Sequence, residues 1–175
     1  MTGHASGLIT LNVEEADDSK REKIRHDMRE PYRTLVGHFR HEIGHYYWDS
    51  LIADTVWHEP CRALFGDERM DYGAALRANY ENGPPADWPS RYISAYASCH
   101  PWEDWAETFA HYLHLVDLVD TAVDHRLIDL PPVDDDRLPR PPGASLRDLI
   151  ALWAPVAAAV DDIADTVGAT RMYPV

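Results

Sequence analysis

Gly37-His38-Phe39-Arg40-His41-Glu42-Ile43-Gly44-His45-Tyr46-Tyr47-Trp48-Asp49 lies inside a longer stretch, Tyr32 to Ala53. In that stretch Leu35, Val36, Phe39, Ile43, Tyr46, Tyr47 and Leu51 recur at helical spacing. The period predicts one long helix over 31–53, opened at Glu30-Pro31, because proline is tolerated in a first turn. Inside it, His41-Glu42-Ile43-Gly44-His45 is an HExxH pattern. Residues four apart share a helix face, so both imidazoles can bind one metal ion. Glu42 stands about 100° round the helix from His41, beside such an ion, where a carboxylate can take a proton from a water. The bland alternative is a pair of polar residues on a wet helix face. The aromatic and apolar residues crowded around the motif argue against it.

Working outward, a catalytic zinc site usually takes three protein ligands and a water. Two histidines leave one ligand to find, and a second long helix, predicted over 98–125, offers it. Its segment Pro101-Trp102-Glu103-Asp104-Trp105-Ala106-Glu107 places Glu103 and Glu107 on one face, and His111 continues that face. One carboxylate would ligate while the next orients a ligating histidine through its other ring nitrogen. Acidic residues in a first helical turn also complement the helix dipole. That explanation suits Glu103 and Asp104 but not Glu107, which stands between Trp105 and Phe109.

The rest of the chain reads as mostly helical. Leu8 to Val13 is strand-like, with a short charged helix after Ser19-Lys20-Arg21-Glu22. Short helices are expected over Cys61–Glu68 and Asp71–Asn82, the latter closed by Gly83 and Pro84-Pro85. Residues 129–144 hold a proline-rich and aspartate-rich loop, and a C-terminal helix follows over 145–168, capped at Ser145 with Asp148. The expectation is a single domain over 1–175, mainly α with a short N-terminal β-strand.

Composition excludes several functions. Thirty acidic against sixteen basic residues give a net charge of −14, which repels phosphate backbones and argues against nucleic acid as a partner. No apolar run is long enough to cross a membrane, and no secretory leader is visible, so neither membrane nor export is expected. The two cysteines, Cys61 and Cys99, form no CxxC pair, so a thiolate zinc site is not expected. They read as free thiols in a reducing cytoplasm. Among the remaining histidines, His38, His100 and His114 read as surface or packed residues, and His111 is the one competitor for the third ligand. Trp48, Trp102 and Trp105 are expected to pack between the two site helices, and Arg40 to pair with a carboxylate.

Three separated blocks in order resemble a bacterial family of zinc-binding metallopeptidases. They are Gly3-His4-Ala5-Ser6-Gly7-Leu8-Ile9-Thr10-Leu11-Asn12, the stretch from Glu30-Pro31-Tyr32-Arg33-Thr34 through Asp49, and Ser94-Ala95-Tyr96-Ala97-Ser98-Cys99-His100-Pro101 continuing to Tyr112. The likeness covers residues 3 to 128. It is similar to the gluzincin branch of the zincins, whose third ligand is a glutamate on a later helix. It therefore implies a zincin-like core, Zn2+ as cofactor and a peptide or protein substrate. A more distant likeness is to the catalytic domain of anthrax lethal factor, where a tyrosine stands seven positions before the ligand glutamate. Tyr96 stands seven before Glu103 here. That resemblance implies His41, His45 and Glu103 as ligands, Glu107 behind them, and Tyr96 as donor to the oxyanion. Asp49, four residues after His45, resembles a position that is acidic in thermolysin-like enzymes, which implies a supporting role. By the same analogy the strand Leu8–Val13 pairs with an extended substrate. Family members often carry an upstream cysteine-rich zinc ribbon, which this chain does not show, so recognition supplied by that part is expected to lie outside it.

The sequence thus predicts a zinc metallopeptidase with Glu42 as general base. The rival is a metal-containing binding or regulatory module, a latent or inactive peptidase. An intact Glu42 disfavours that rival, because a purely structural site needs no base.

Overall fold

The computed structural model describes residues 3–13, 17, 34–128, 145–169 and 171. Two compact units divide the chain, residues 1–111 and 112–175. The elements are mainly helical, with one small sheet at the N-terminus.

In the first unit, β1 (Gly3–Ala5) and β2 (Leu8–Thr10) pair antiparallel, with His4 opposite Ile9. Ser6 and Gly7 join them, both at positive φ (50° and 80°), as a tight two-residue hairpin requires. The Gly7 N–H donates to His4 Nε2 at 3.0 Å and fastens the turn. The expected single strand over 8–13 is therefore a hairpin whose second strand stops at Thr10. Its partner strand escapes the sequence because three residues containing glycine and alanine carry no strand signal, and serine is an uncommon left-handed residue.

α1 (Leu35–Tyr47) starts at Thr34, whose side chain accepts from the Gly37 N–H at 2.9 Å. The expected start at residue 31 lies outside the described residues, as do the charged helix after Ser19 and the loop over 129–144. Beyond Tyr47 the helix widens into a π-helical turn, Trp48–Ile52, closed by the Ala53 N–H on the Trp48 carbonyl at 2.9 Å. Such a turn inserts a residue and rotates the side chains downstream of it. α2 (His58–Phe65) and α3 (Tyr72–Asn82) come next, α2 starting and ending three residues earlier than the sequence predicts. The Asp71 side chain caps α3 by accepting from the Ala74 N–H at 2.9 Å.

α4 (Pro101–Asp124) opens with proline in its first turn. His100 serves its orphan donors: the Trp102 N–H reaches His100 Nδ1 at 3.1 Å, and His100 Nε2 donates to the Met70 carbonyl at 3.2 Å. α4 crosses α1 closely because Gly44 has no side chain. A Cβ there would stand 3.0 Å from Ala106 Cα and 3.2 Å from the Ala106 carbonyl oxygen. Trp105 Nε1 donates to the Gly44 carbonyl at 2.8 Å and locks the crossing. Of the tryptophans expected between the site helices, Trp102 lies against the His45 ring, Trp105 stacks on Phe109 of its own helix, and Trp48 stands edge-on to His58 of α2.

In the second unit, the later turns of α4 bury Leu115, Val116 and Val119 with Leu149 of α5 (Leu146–Thr166). Ser145 and Asp148 form the expected reciprocal cap of α5.

Candidate metal centre

α1 inverts the usual economy of an amphipathic helix. Its buried residues are His41, Glu42, Gly44 and His45. Its large apolar residues Val36 and Phe39 stay 56% and 40% exposed. Burying imidazoles and a carboxylate is costly unless they are partnered, and the partners come from α4.

Three atoms converge. His41 Nε2 lies 3.0 Å from His45 Nε2 and 2.9 Å from Glu103 Oε2, and His45 Nε2 lies 3.6 Å from that oxygen. Two tetrahedral ligands at zinc distances stand roughly 3.3 Å apart, so these separations bracket what one zinc ion would impose. Among the described residues this is the group of histidines, cysteines and carboxylates placed to hold a metal.

Proton logic gives the same answer. His41 Nδ1 donates to Glu107 Oε1 at 2.6 Å, since a carboxylate can only accept. In the neutral ring, His41 Nε2 is then a lone pair aimed at a carboxylate oxygen and at a second imidazole nitrogen. Glu103 Oε2 is buried with no hydrogen-bond donor aligned on it. Such a constellation favours positive charge, carried by a proton or a metal ion. Burial alone would lower the affinity of His41 for a proton, but the close Glu103 and Glu107 carboxylates and their charges outweigh burial and push its pKa up to about 10. Glu103 and Glu107 move the other way: burial raises them, and the facing imidazoles hold both below the ordinary carboxylate range. The metal-free site favours positive charge on His41, and a divalent metal fits the donor set of two imidazoles and one carboxylate.

Supports extend outward. Glu107 Oε2 accepts from the Ser94 hydroxyl at 2.6 Å, and Ser94 Oγ accepts from the Ala97 N–H at 3.0 Å. Serine, glutamate and His41 thus form a chain that fixes the ring's orientation. Glu103 Oε1 accepts from the Tyr72 hydroxyl at 2.6 Å. The Tyr96 ring centre stands 6.0 Å from that of His41. Burial and the Glu103 charge keep both phenols protonated well above their usual range. His45 Nδ1 has no hydrogen-bond partner, and its ring rests on Trp102 at 4.1 Å between centres.

The structure therefore brings His41, His45, Glu103, Glu107 and Tyr96 together, and buries Glu42 on the same helix as the two histidines. It does not bring in Asp49, which is exposed on the π-helical turn. His111 stays outside the converging atoms, and burial lowers its pKa against the pull of Glu107. His38, read as a surface or packed residue, stands with Nε2 3.5 Å from Glu42 Oε1. Sequence reasoning missed Ser94 and Tyr72. Ser94 opens the third block of resemblance without a role attached. Tyr72 sits on a short helix far from either site helix in sequence, and no spacing rule connects it to them.

The match to known proteins agrees with this geometry. An uncharacterised protein of Mycobacterium bovis is 45% identical over 176 residues, covering 99% of this chain and 50% of its own. Uncharacterised proteins from two strains of Mycobacterium tuberculosis match with the same identity and coverage. The chain thus spans about half the length of the curated relatives it matches. No solved structure matches it. A family model covers residues 1–175 under the description "Putative zinc-binding metallo-peptidase", and the chain belongs to that family.

Proposed function

We propose that the protein is a zinc-dependent peptidase that hydrolyses peptide bonds of a peptide or protein substrate. The observation that carries this reading is the convergence of His41 Nε2, His45 Nε2 and Glu103 Oε2, with Glu42 buried on the same helix next to His41 in sequence. His41, His45 and Glu103 would hold the ion. When bound, zinc supplies a Lewis acid that polarises the scissile carbonyl and makes a water acidic near neutral pH.

The chain's own residues do the remaining work. Glu42 takes a proton from the attacking water and passes it to the departing amine, so one carboxylate serves as base and then as acid. Glu107, held by Ser94, keeps His41 in one tautomer with Nε2 free. Tyr96 donates a hydrogen bond to the oxygen that gains charge as the carbonyl becomes tetrahedral. Hairpin strand β2 offers an edge for an extended backbone, a role that rests on analogy alone.

Glu42→Gln tests the reading. It preserves shape and removes the base, so the variant is expected to keep zinc and fold while losing at least about a hundredfold in hydrolysis of a broad peptide library. Cleavage that persists unchanged would contradict the role of Glu42. A wild-type protein that binds zinc fully yet cleaves nothing would favour the binding or regulatory module instead.

A further inference from the structure

We infer that Tyr72 is a positioning residue for the metal centre: its hydroxyl ties up one oxygen of Glu103 so that the other alone faces the two histidines. The inference rests on the reading of His41, His45 and Glu103 as the zinc-holding set.

Glu103 is the most deeply buried ionisable side chain near the site, 1% exposed. A carboxylate has two oxygens, and left alone it can present either or both to a cation. Here they are differentiated. Oε1 accepts from Tyr72 at 2.6 Å, within the range of a charge-assisted O–H···O bond. Oε2 has no donor of its own and lies at the convergence of the imidazole nitrogens. Rotating Glu103 to offer both oxygens would break the Tyr72 bond in a buried setting, where an unmade hydrogen bond to a charge is expensive.

Tyr72 is itself held. Its ring stands edge-on to His100 and to Trp102, with centres 5.2 Å and 5.8 Å apart. His100 is the residue that caps α4, so the first turn of α4 and the donor to its glutamate are fixed by the same contacts. Glu107 plays the matching part for His41, so each of the two helices' central ligands has its own external clamp.

Tyr72→Phe removes the hydroxyl and keeps the ring packing. Zinc affinity, read by competition with a chromophoric chelator, is expected to fall about 10–100-fold, the usual size of such effects. Cobalt-loaded Tyr72→Phe should also show a weaker visible spectrum, as the freed carboxylate raises the coordination number. Wild-type zinc affinity in Tyr72→Phe, or an unchanged cobalt spectrum, would overturn the inference. Should Tyr72→Phe fail to fold, a fluorinated tyrosine at position 72 keeps the shape and changes only donor acidity, and an unchanged zinc affinity there would overturn it equally. A wild-type protein that takes up no zinc would instead refute the underlying reading of the site.

Discussion

Gly44 of α1 rests on Ala106 of α4 so closely that a Cβ on Gly44 would lie 3.0 Å from the Ala106 Cα. The contact meets backbone, not the end of a flexible side chain, so neither helix can yield locally. It explains why a glycine, a poor helix former, occupies the penultimate position of the histidine motif. The Glu103 and Glu107 carboxylates reach His41 and His45 only because the helices approach this far.

Gly44→Ala should therefore destabilise the protein despite a helix-propensity gain of about 1 kcal/mol. Overpacking a tight contact costs about 1–3 kcal/mol, and zinc affinity should fall with it as the helices separate. Urea unfolding and chelator competition on the same variant check both. A more stable variant with unchanged zinc affinity would contradict the role given to the crossing.

Glu103 and Glu107 should differ in kind. Glu103→Ala removes a converging atom and is expected to abolish tight zinc binding. Glu107→Ala removes the acceptor of His41 Nδ1 and should weaken binding about 10–100-fold. Zinc titration of the two variants decides between these roles, and the reverse order of effects would exchange them.

The legible part of this molecule was its period and its motif. Apolar residues from Leu35 to Leu51 mark a helix, yet period alone does not say which face is buried, because the polar and apolar stripes repeat with the same 3.6-residue spacing. The histidine and glutamate stripe is the buried one, and Val36, Phe39 and Leu51 are left outside. The carboxylate face of α4 was readable for the same reason. Tyr72 was not, since its link to Glu103 spans 31 residues and is made by tertiary packing. Nor was the π-helical turn that carries Asp49, because no residue in Trp48–Ile52 signals it.

Acid should expose a separate anchor. Glu68 accepts from Arg62 Nε at 3.0 Å and faces His58 Nε2 at 3.0 Å, tying the end of α2 to its start. The Arg62 hydrogen bond outweighs partial burial and holds Glu68 down to about 2. A carboxylate with a depressed native pKa stabilises the fold fully above its unfolded value, about 4.3. That contribution is lost as pH falls through about 2. In metal-free protein, Glu68→Gln should flatten the fall in urea midpoint across this window relative to wild type. Parallel curves for the two proteins would mean that the pair contributes nothing.

The central claim is that His41, His45 and Glu103 hold one zinc ion, and metal analysis of the purified protein after zinc reconstitution tests it most directly. The account predicts about one zinc per chain, with anomalous scattering at the zinc edge centred between those three side chains in crystals of the loaded protein. Less than about a tenth of an equivalent, or an ion bound elsewhere, would contradict it.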